Sequence, residues 1–139
     1  MTHIIIITGA RDLTRPEAVQ AIEILGVQLK GAALLLHGDA RGVDRLGAQV
    51  ALLHRVEVIA VPVKSGEWPT ARNTRMLERG LEEARSRGLR VRVIALPTQD
   101  SRGTWDTYNK AVRLREEHPE LFAAPAALHP LGLSARRAG

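Results

Sequence analysis

The residues best suited to chemistry in this sequence of 139 residues form one continuous segment, HGDARGVDRLG at positions 37–47. An apolar run precedes it and helical spacing follows it, which predicts a strand, a turn containing Gly38 and Gly42, and a helix. The first N–H groups of a helix lack intrahelical partners and lie at the positive end of the helix dipole. Such a turn favours a phosphate or another anion, and its glycines would let the main chain approach that anion closely. The alternative interpretation is a turn that only requires small residues.

Three further segments place polar residues and glycines where a strand is predicted to end, at positions 8–11, 62–73 and 97–107. In an open parallel sheet, ligands bind in the crevice at the carboxyl ends of the strands. The four segments together therefore predict one phosphate site in that crevice. Its candidates for a guanidinium clamp are Arg11, Arg41 and Arg72. The glycine spacing matches neither the dinucleotide fingerprint G-x-G-x-x-G nor the phosphate loop G-x-x-x-x-G-K-[ST].

Carboxylates and aromatic residues near the predicted crevice are the second set of candidates. Asp39 either braces the turn or binds a ribose hydroxyl, whereas Asp44 falls in the first helical turn, where a structural role is expected. His37 either acts as an acid or base near neutral pH or bonds to the backbone at the end of a strand. Trp68 and Trp105 either stack on a base or pack a loop and a helix.

The composition excludes several kinds of site. The chain has no cysteine, which excludes disulfides, thiolate metal sites and thiol nucleophiles, and its histidines show no metal-ligand spacing. We therefore predict no metal and no cofactor. The excess of 20 Lys and Arg over 15 Asp and Glu gives a net charge of +5, which favours a nucleotide or nucleic-acid partner. A solvated basic surface is the alternative explanation of that charge.

No apolar run approaches membrane-spanning length, and the N-terminus lacks the charged and apolar regions of a signal peptide. We therefore expect a cytoplasmic protein that does not contact a membrane.

The elements that must position the candidate residues alternate along the chain. Continuous apolar runs predict buried strands, and apolar residues at intervals of three or four predict helices. The predicted strands are residues 4–7, 32–36, 56–61 and 91–96, and the predicted helices are residues 15–30, 43–54, 70–86 and 104–117. This alternation is typical of α/β proteins with a doubly wound parallel sheet.

The chain is predicted to form a single domain, at residues 1–117. From residue 118 the pattern fails because prolines interrupt an alanine-rich stretch. Residues 118–139 are therefore expected to form an irregular tail that packs on the body or on a partner subunit.

Four segments of the sequence are, in order, similar to the four motifs of the SLOG superfamily. They are TGARD at 8–12, HGDARGVDRL at 37–46, Trp68 with RNTRM at 72–76, and RGTWDT at 102–107. The resemblance covers residues 4–115, and its most specific motif is the second. The chain looks most like the small bacterial and phage YspA-like branch. The superfamily also includes the LONELY GUY type phosphoribohydrolases, often labelled lysine decarboxylase-like, and the DNA-processing protein A group.

This resemblance implies a Rossmann-like fold that binds a nucleotide or a nucleotide derivative in the crevice, and it favours a homodimer. The ligand-binding residues that we predict are Thr8, Gly9, Arg11, Gly38, Asp39, Arg41, Gly42, Asn73, Gly103 and Thr104.

In the phosphoribohydrolases, an arginine and a glutamate serve to hydrolyse the N-glycosidic bond of a nucleoside 5′-monophosphate, and the resemblance places that arginine at Arg72. The glutamate position falls on Thr107, next to Asp106, and the diglycine of the fourth motif is absent. If the protein is an enzyme, Arg72 would hold the phosphate and Asp106 would be the carboxylate that supports cleavage. The alternatives are a sensor without activity, a non-catalytic module for single-stranded nucleic acid, and a structural subunit that assembles through its tail.

Overall fold

The computed structural model describes residues 3–132. The strands in this range are β1 (Ile4–Gly9), β2 (Leu34–His37), β3 (Glu57–Ala60), β4 (Val91–Leu96) and β5 (Ala127–Leu128). The helices are α1 (Arg15–Leu29), α2 (Val43–Leu53), α3 (Pro69–Arg87) and α4 (Arg102–Glu117), followed by a 3-10 turn at Pro119–Leu121. None of the helices in this range is long and apolar enough to cross a membrane.

The strands form one parallel sheet in the order β3-β2-β1-β4-β5. The chain moves outward from β1 through β2 to β3, then crosses to the other side of β1 and continues to β4. Strand order therefore reverses between β1 and β4, and at such a point the loops that follow the two strands separate and leave a crevice. The loops after Gly9 and Leu96, which are register partners at the strand ends, border this crevice.

The isoleucine run of β1 forms the centre of the core. Ile4 and Ile6 pack in a cluster with residues of α3 and α4, and Ile5 and Ile7 pack in a second cluster with residues of α1 and α2. Successive side chains point to opposite faces of a strand, so a strand that is buried on both faces needs apolar residues at every position. This arrangement confirms the predicted Rossmann-like, doubly wound α/β fold.

Local signals in the sequence set the helix ends. Thr14 and Glu17 form a reciprocal capping box at the start of α1, in which each side chain accepts a hydrogen bond from the backbone of the other. Gly88 ends α3 in the left-handed conformation, with φ of 66°, which a glycine adopts without strain. β3 is shorter than the predicted strand at 56–61 because it lies at the edge of the sheet, where only one neighbour fixes it.

Residues 118–132 are irregular for the most part, as the prolines predict, but they also add a short strand and a buried leucine to the fold. β5 pairs in parallel with β4, and Leu131 is fully buried in the cluster under α1 and α2. The amide of Gly132 donates a 2.9 Å hydrogen bond to the side chain of Gln20. These contacts tie the end of the described chain to α1 and β4. The predicted tail continues through residues 133–139, which lie outside the described residues.

Candidate ligand-binding cleft

A cleft of about 540 Å³ lies at the point where strand order reverses. It is bordered by the loop after β1, the turn before α2, the N-terminus of α3 and the loop that leads into α4. The predicted site residues that line it are Thr8, Gly9, Arg11, Arg72, Asn73, Gly103 and Thr104. The predicted site residues outside its lining are Gly38, Asp39, Arg41, Gly42 and Asp106. The structure therefore brings together residues of the first, third and fourth motifs, and the second motif contributes Ala40 and Asp44 to the lining.

Asp44 organises the turn of the second motif from its buried side. Its buried carboxylate oxygen Oδ2 accepts hydrogen bonds from the backbone amides of Gly38, at 2.9 Å, and Ala40, at 3.3 Å. The amide of Asp39 donates to Nδ1 of His37 at 2.9 Å. An amide that already has a protein acceptor is not available to a phosphate. The amide of Gly38 is already bonded to the carboxylate of Asp44, and its predicted contact with a phosphate stays a prediction.

The two glycines of the second motif are required by packing against other parts of the chain. A Cβ at Gly38 would lie 2.6 Å from Cζ of Arg72. Gly42 has φ of 84°, and a Cβ there would lie 2.5 Å from the carbonyl oxygen of Arg11. The next residue, Val43, donates a 3.0 Å hydrogen bond to the carbonyl of Ala10. The close approach that we expected toward a ligand is made instead toward the first motif and the arginine.

Two polar residues of the second motif form exposed ion pairs. Arg41, a predicted clamp, donates to Asp12 at 2.9 Å with both side chains largely in solvent. Asp39 lies 3.8 Å from Arg45. Exposed pairs of this kind contribute little to stability. Arg41 and Asp39 lie outside the lining of the cleft, and their contact with a ligand stays a prediction.

Arg72 is the most constrained cation of the cleft. It is 6% exposed, and its Nε donates to Oδ1 of Asn73 at 2.9 Å. Its Nη1 donates to the carbonyl of Gly38 and, at 3.5 Å, to that of Val61. The remaining nitrogen, Nη2, has no hydrogen-bond partner within residues 3–132. The side chain of Asn73 and two backbone carbonyls thus fix the guanidinium and leave one nitrogen for the cleft.

Asn73 joins the two residues predicted to be catalytic. Its Oδ1 accepts from Arg72, while its Nδ2 donates to Oδ2 of Asp106 at 3.0 Å. The same carboxylate oxygen lies 2.9 Å from Nζ of Lys110. Asp106 is therefore oriented toward α3 and its own helix. The side-chain amide of Asn73 links it to Arg72 through two hydrogen bonds.

The N-termini of α3 and α4 lack the side-chain caps that α1 has. Trp68 occupies the cap position of α3 and has no hydrogen-bonding oxygen to offer, and Pro69 follows it. Ser101 occupies the cap position of α4, but its hydroxyl accepts a 2.8 Å hydrogen bond from the amide of Thr98. Both helix starts line the cleft. A tryptophan directly before a proline is a sequence signal of a helix without a side-chain cap.

Burial shifts the titration of the groups behind the cleft. It raises the pKa of Asp44 to about 6, against the opposing effect of the two amide hydrogen bonds and of Arg72. Burial also lowers the pKa of His37, so its imidazole is neutral at pH 7 and its Nδ1 is free to accept from the backbone. His37 lies outside the cleft lining, which favours the backbone-bonding interpretation over acid or base chemistry.

The all-parallel sheet, its reversal point and the cleft define a Rossmann-like α/β protein. No protein-family model matches the chain, and no curated protein is significantly similar to it in sequence. Among solved structures, it is similar to DNA processing protein A (DprA) from Streptococcus pneumoniae, with a TM-score of 0.50 and 17% identity. That match covers 98% of this chain and 61% of DprA, so the chain spans less than two thirds of that protein.

The chain also matches the molybdenum cofactor carrier protein from Chlamydomonas reinhardtii, with a TM-score of 0.45, 17% identity and coverage of 99% of this chain and 98% of that one. At these identities the similarity concerns the fold alone. The Rossmann-like fold that the resemblance implies is confirmed, and membership of the SLOG superfamily stays a prediction from the four motifs.

Proposed function

We propose that this protein binds a nucleotide or a nucleotide derivative in the cleft, with a phosphate of the ligand at the N-termini of α3 and α4. The observation that carries the proposal is that two uncapped helix N-termini and the fixed guanidinium of Arg72 line the same cleft. Each feature favours an anion separately, since helix N-termini present unpaired N–H groups and arginine binds phosphate through charge-assisted hydrogen bonds.

The donors that we assign to the phosphate are the amides of the first helical turns. Those of Thr70 and Ala71 in α3, and of Gly103 and Thr104 in α4, have no acceptor within residues 3–132. The sequence-based hypothesis placed the phosphate between the turns after β1 and β2 and the loop after β4, and the proposed position adds the N-terminus of α3. Gly103 and Thr104 keep the role that the sequence predicted for them.

The charges around the cleft support this proposal. Arg11 and Arg102 line it with exposed side chains that form no ion pair among the described residues. Of the carboxylates in the lining, Asp12 is paired with Arg41, and Asp44 is buried against two amides. Asp100 is the remaining carboxylate of the lining and forms no ion pair within residues 3–132. The positive groups in contact with solvent thus outweigh the free negative one.

Isothermal titration calorimetry with nucleoside 5′-monophosphates, ribose 5-phosphate and unphosphorylated nucleosides tests the proposal. We expect the phosphorylated compounds to bind and the nucleosides to bind far more weakly. Arg102→Gln should weaken phosphate binding by about tenfold, because a charge-assisted hydrogen bond is worth ~1.5–3 kcal/mol. Arg113→Gln, an exposed arginine of α4 outside the cleft, should have no effect. Failure of every phosphorylated compound to bind would overturn the proposal.

Hydrolysis of the N-glycosidic bond, with Arg72 and Asp106 in the roles that the resemblance implies, is the finer hypothesis. The attachment of Asp106 to Asn73 and Lys110, outside the cleft lining, favours binding without cleavage. Incubation with a panel of nucleoside monophosphates decides between the two. Base release that Asp106→Asn abolishes would support an enzyme, whereas binding without release would leave a sensor.

Binding of single-stranded nucleic acid is the competing hypothesis, and the net charge of +5 is the observation that favours it. Tight oligonucleotide binding with a steep salt dependence, together with no affinity for mononucleotides, would replace the nucleotide proposal with this one. The homodimer implied by the resemblance also remains a prediction. Sedimentation of the complete chain tests it, since truncation at residue 118 would remove β5 and the buried Leu131.

A further inference from the structure

Trp68 is an exposed aromatic residue at the mouth of the cleft. It is 77% exposed, and it is the only aromatic side chain among the described residues that line the cleft. Tryptophan has a large apolar surface that soluble proteins normally bury or use for contacts. The indole lies one helical turn before Arg72, at the start of the same helix. A flat apolar surface therefore borders the proposed phosphate position.

The backbone that carries Trp68 is held in place from both sides. On one side, the carboxylate of Glu67 forms two hydrogen bonds with Arg75, at 2.7 and 3.0 Å, and accepts the amide of Lys64 at 2.9 Å. These contacts hold the pKa of Glu67 at about 2, so the anchor is fully ionised near neutral pH. On the other side, Pro69 restricts the backbone at the start of α3. Because the backbone at Trp68 is already ordered, ligand binding costs less conformational entropy than it would on a mobile loop.

We infer that Trp68 stacks on a flat aromatic ring of the ligand, so that the ligand class is a nucleoside phosphate and not a sugar phosphate or inorganic phosphate. This inference rests on the proposed function, because it takes the phosphate position from it. Aromatic side chains stack on any nucleobase, since each base has a π face. The stacking surface therefore selects for the presence of a base and discriminates little between bases.

Trp105 provides a matched control within the same protein. It is also partly exposed, at 40%, but it lies outside the cleft lining. Its ring packs edge-on against Tyr108 with a centroid distance of 5.6 Å. The chain has 2 tryptophans, so Trp105→Phe leaves Trp68 as the only indole and makes its fluorescence a direct reporter.

The experiment titrates the complete chain with adenosine 5′-monophosphate and with ribose 5-phosphate. We expect Trp68→Ala to weaken the nucleotide by about tenfold or more, the range of a lost base–aromatic stack, and to leave ribose 5-phosphate unchanged. Trp68→Phe should restore most of the nucleotide affinity, and Trp105→Ala should change neither ligand. In the Trp105→Phe protein, the nucleotide should quench the fluorescence of Trp68 and ribose 5-phosphate should not.

The failures of the two proposals are distinguishable. Equal affinity of the original protein for the nucleotide and ribose 5-phosphate, or an unchanged nucleotide affinity in Trp68→Ala, would overturn the stacking surface and leave phosphate binding intact. Absence of binding by both ligands to the original protein would overturn the proposed function and the stacking inference with it. Thermal unfolding of Trp68→Ala, expected to match the original because the side chain is exposed, checks that the variant is folded.

Discussion

The guanidinium of Arg72 lies against the backbone of Gly38, and its Nη1 donates a hydrogen bond to the Gly38 carbonyl. The two residues are 34 positions apart in the sequence. The glycine of the second motif thus provides space and an acceptor for the arginine of the third. The turn of the second motif therefore supports a cation in the lining of the cleft.

Gly38→Ala is expected to destabilise the protein and to weaken ligand binding together. The new Cβ would lie 2.6 Å from Cζ of Arg72 and 3.0 Å from Oδ2 of Asp44, so the guanidinium must move. Overpacking of this kind costs ~1–3 kcal/mol. Gly103→Ala is the control, because a Cβ there meets no atom within 4 Å, and its unfolding free energy should be equal or slightly higher. Urea unfolding measures the free energy of unfolding of the two variants. Equal values for Gly38→Ala and Gly103→Ala would contradict this account of Gly38.

Gly42→Ala should be among the most damaging single substitutions in the chain. Its φ of 84° is unfavourable for any residue with a Cβ, and the new atom would lie 2.5 Å from the carbonyl oxygen of Arg11. We expect a loss of at least ~2 kcal/mol in the free energy of unfolding. Gly26→Ala, inside α1 with open space around it, should instead stabilise by ~0.5–1 kcal/mol. Equal melting temperatures of Gly42→Ala and Gly26→Ala would refute the requirement for glycine at position 42.

Asp44 should make stability depend on pH. Burial raises its pKa from 3.8 to about 6, so the protonated form stabilises the folded state. That contribution is complete below a pH of roughly 4 and is lost as the pH rises through about 6, a change of at most ~3 kcal/mol. Asn at this position can accept both amides through one oxygen, as Oδ2 does, and does not titrate.

The measurement is urea unfolding of the original protein and of Asp44→Asn at several values between pH 4.5 and 7.5. The variant should gain stability relative to the original as the pH rises, and the difference should level off above pH 7. The ion pairs with lowered carboxylate pKa values, such as Glu67 with Arg75, are common to both proteins and cancel in the difference. A difference that does not change with pH would rule out the raised pKa.

Asn73→Ala should destabilise the fold by ~1–3 kcal/mol, because it leaves Nε of Arg72 without a partner in a buried position. The affinity for a phosphorylated ligand should fall as well, since the guanidinium is no longer oriented. Asn109→Ala, at an exposed position of α4, is the matched control and should stay within about 0.5 kcal/mol of the original. Denaturation and calorimetry on the two variants provide the measurement. A loss of stability without any loss of affinity would remove Asn73 from the site.

The strands, helices and their alternation could be read from local features of the sequence. The isoleucine run of β1 predicts burial on both faces, and Thr14 with Glu17 predicts the start of α1, because each signal involves residues within one turn or one strand. The four motifs likewise place the crevice correctly, since parallel topology brings all strand ends to one edge. β5 escaped prediction because two residues carry no periodicity, and only pairing with β4 gives them an extended form.

The sequence by itself therefore determined the fold class, the location of the cleft and the residue types around it. Only the tertiary structure decided which donors face the cleft. The carboxylate of Asp44 accepts hydrogen bonds from amides of the second motif, and the carbonyl of Gly38 accepts one from Nη1 of Arg72. The hydroxyl of Ser101 accepts the amide of Thr98 and does not cap α4. The physical reason is that a donor forms its hydrogen bond with the acceptor that tertiary packing places next to it. In this protein, packing brings together residues that are far apart in the sequence.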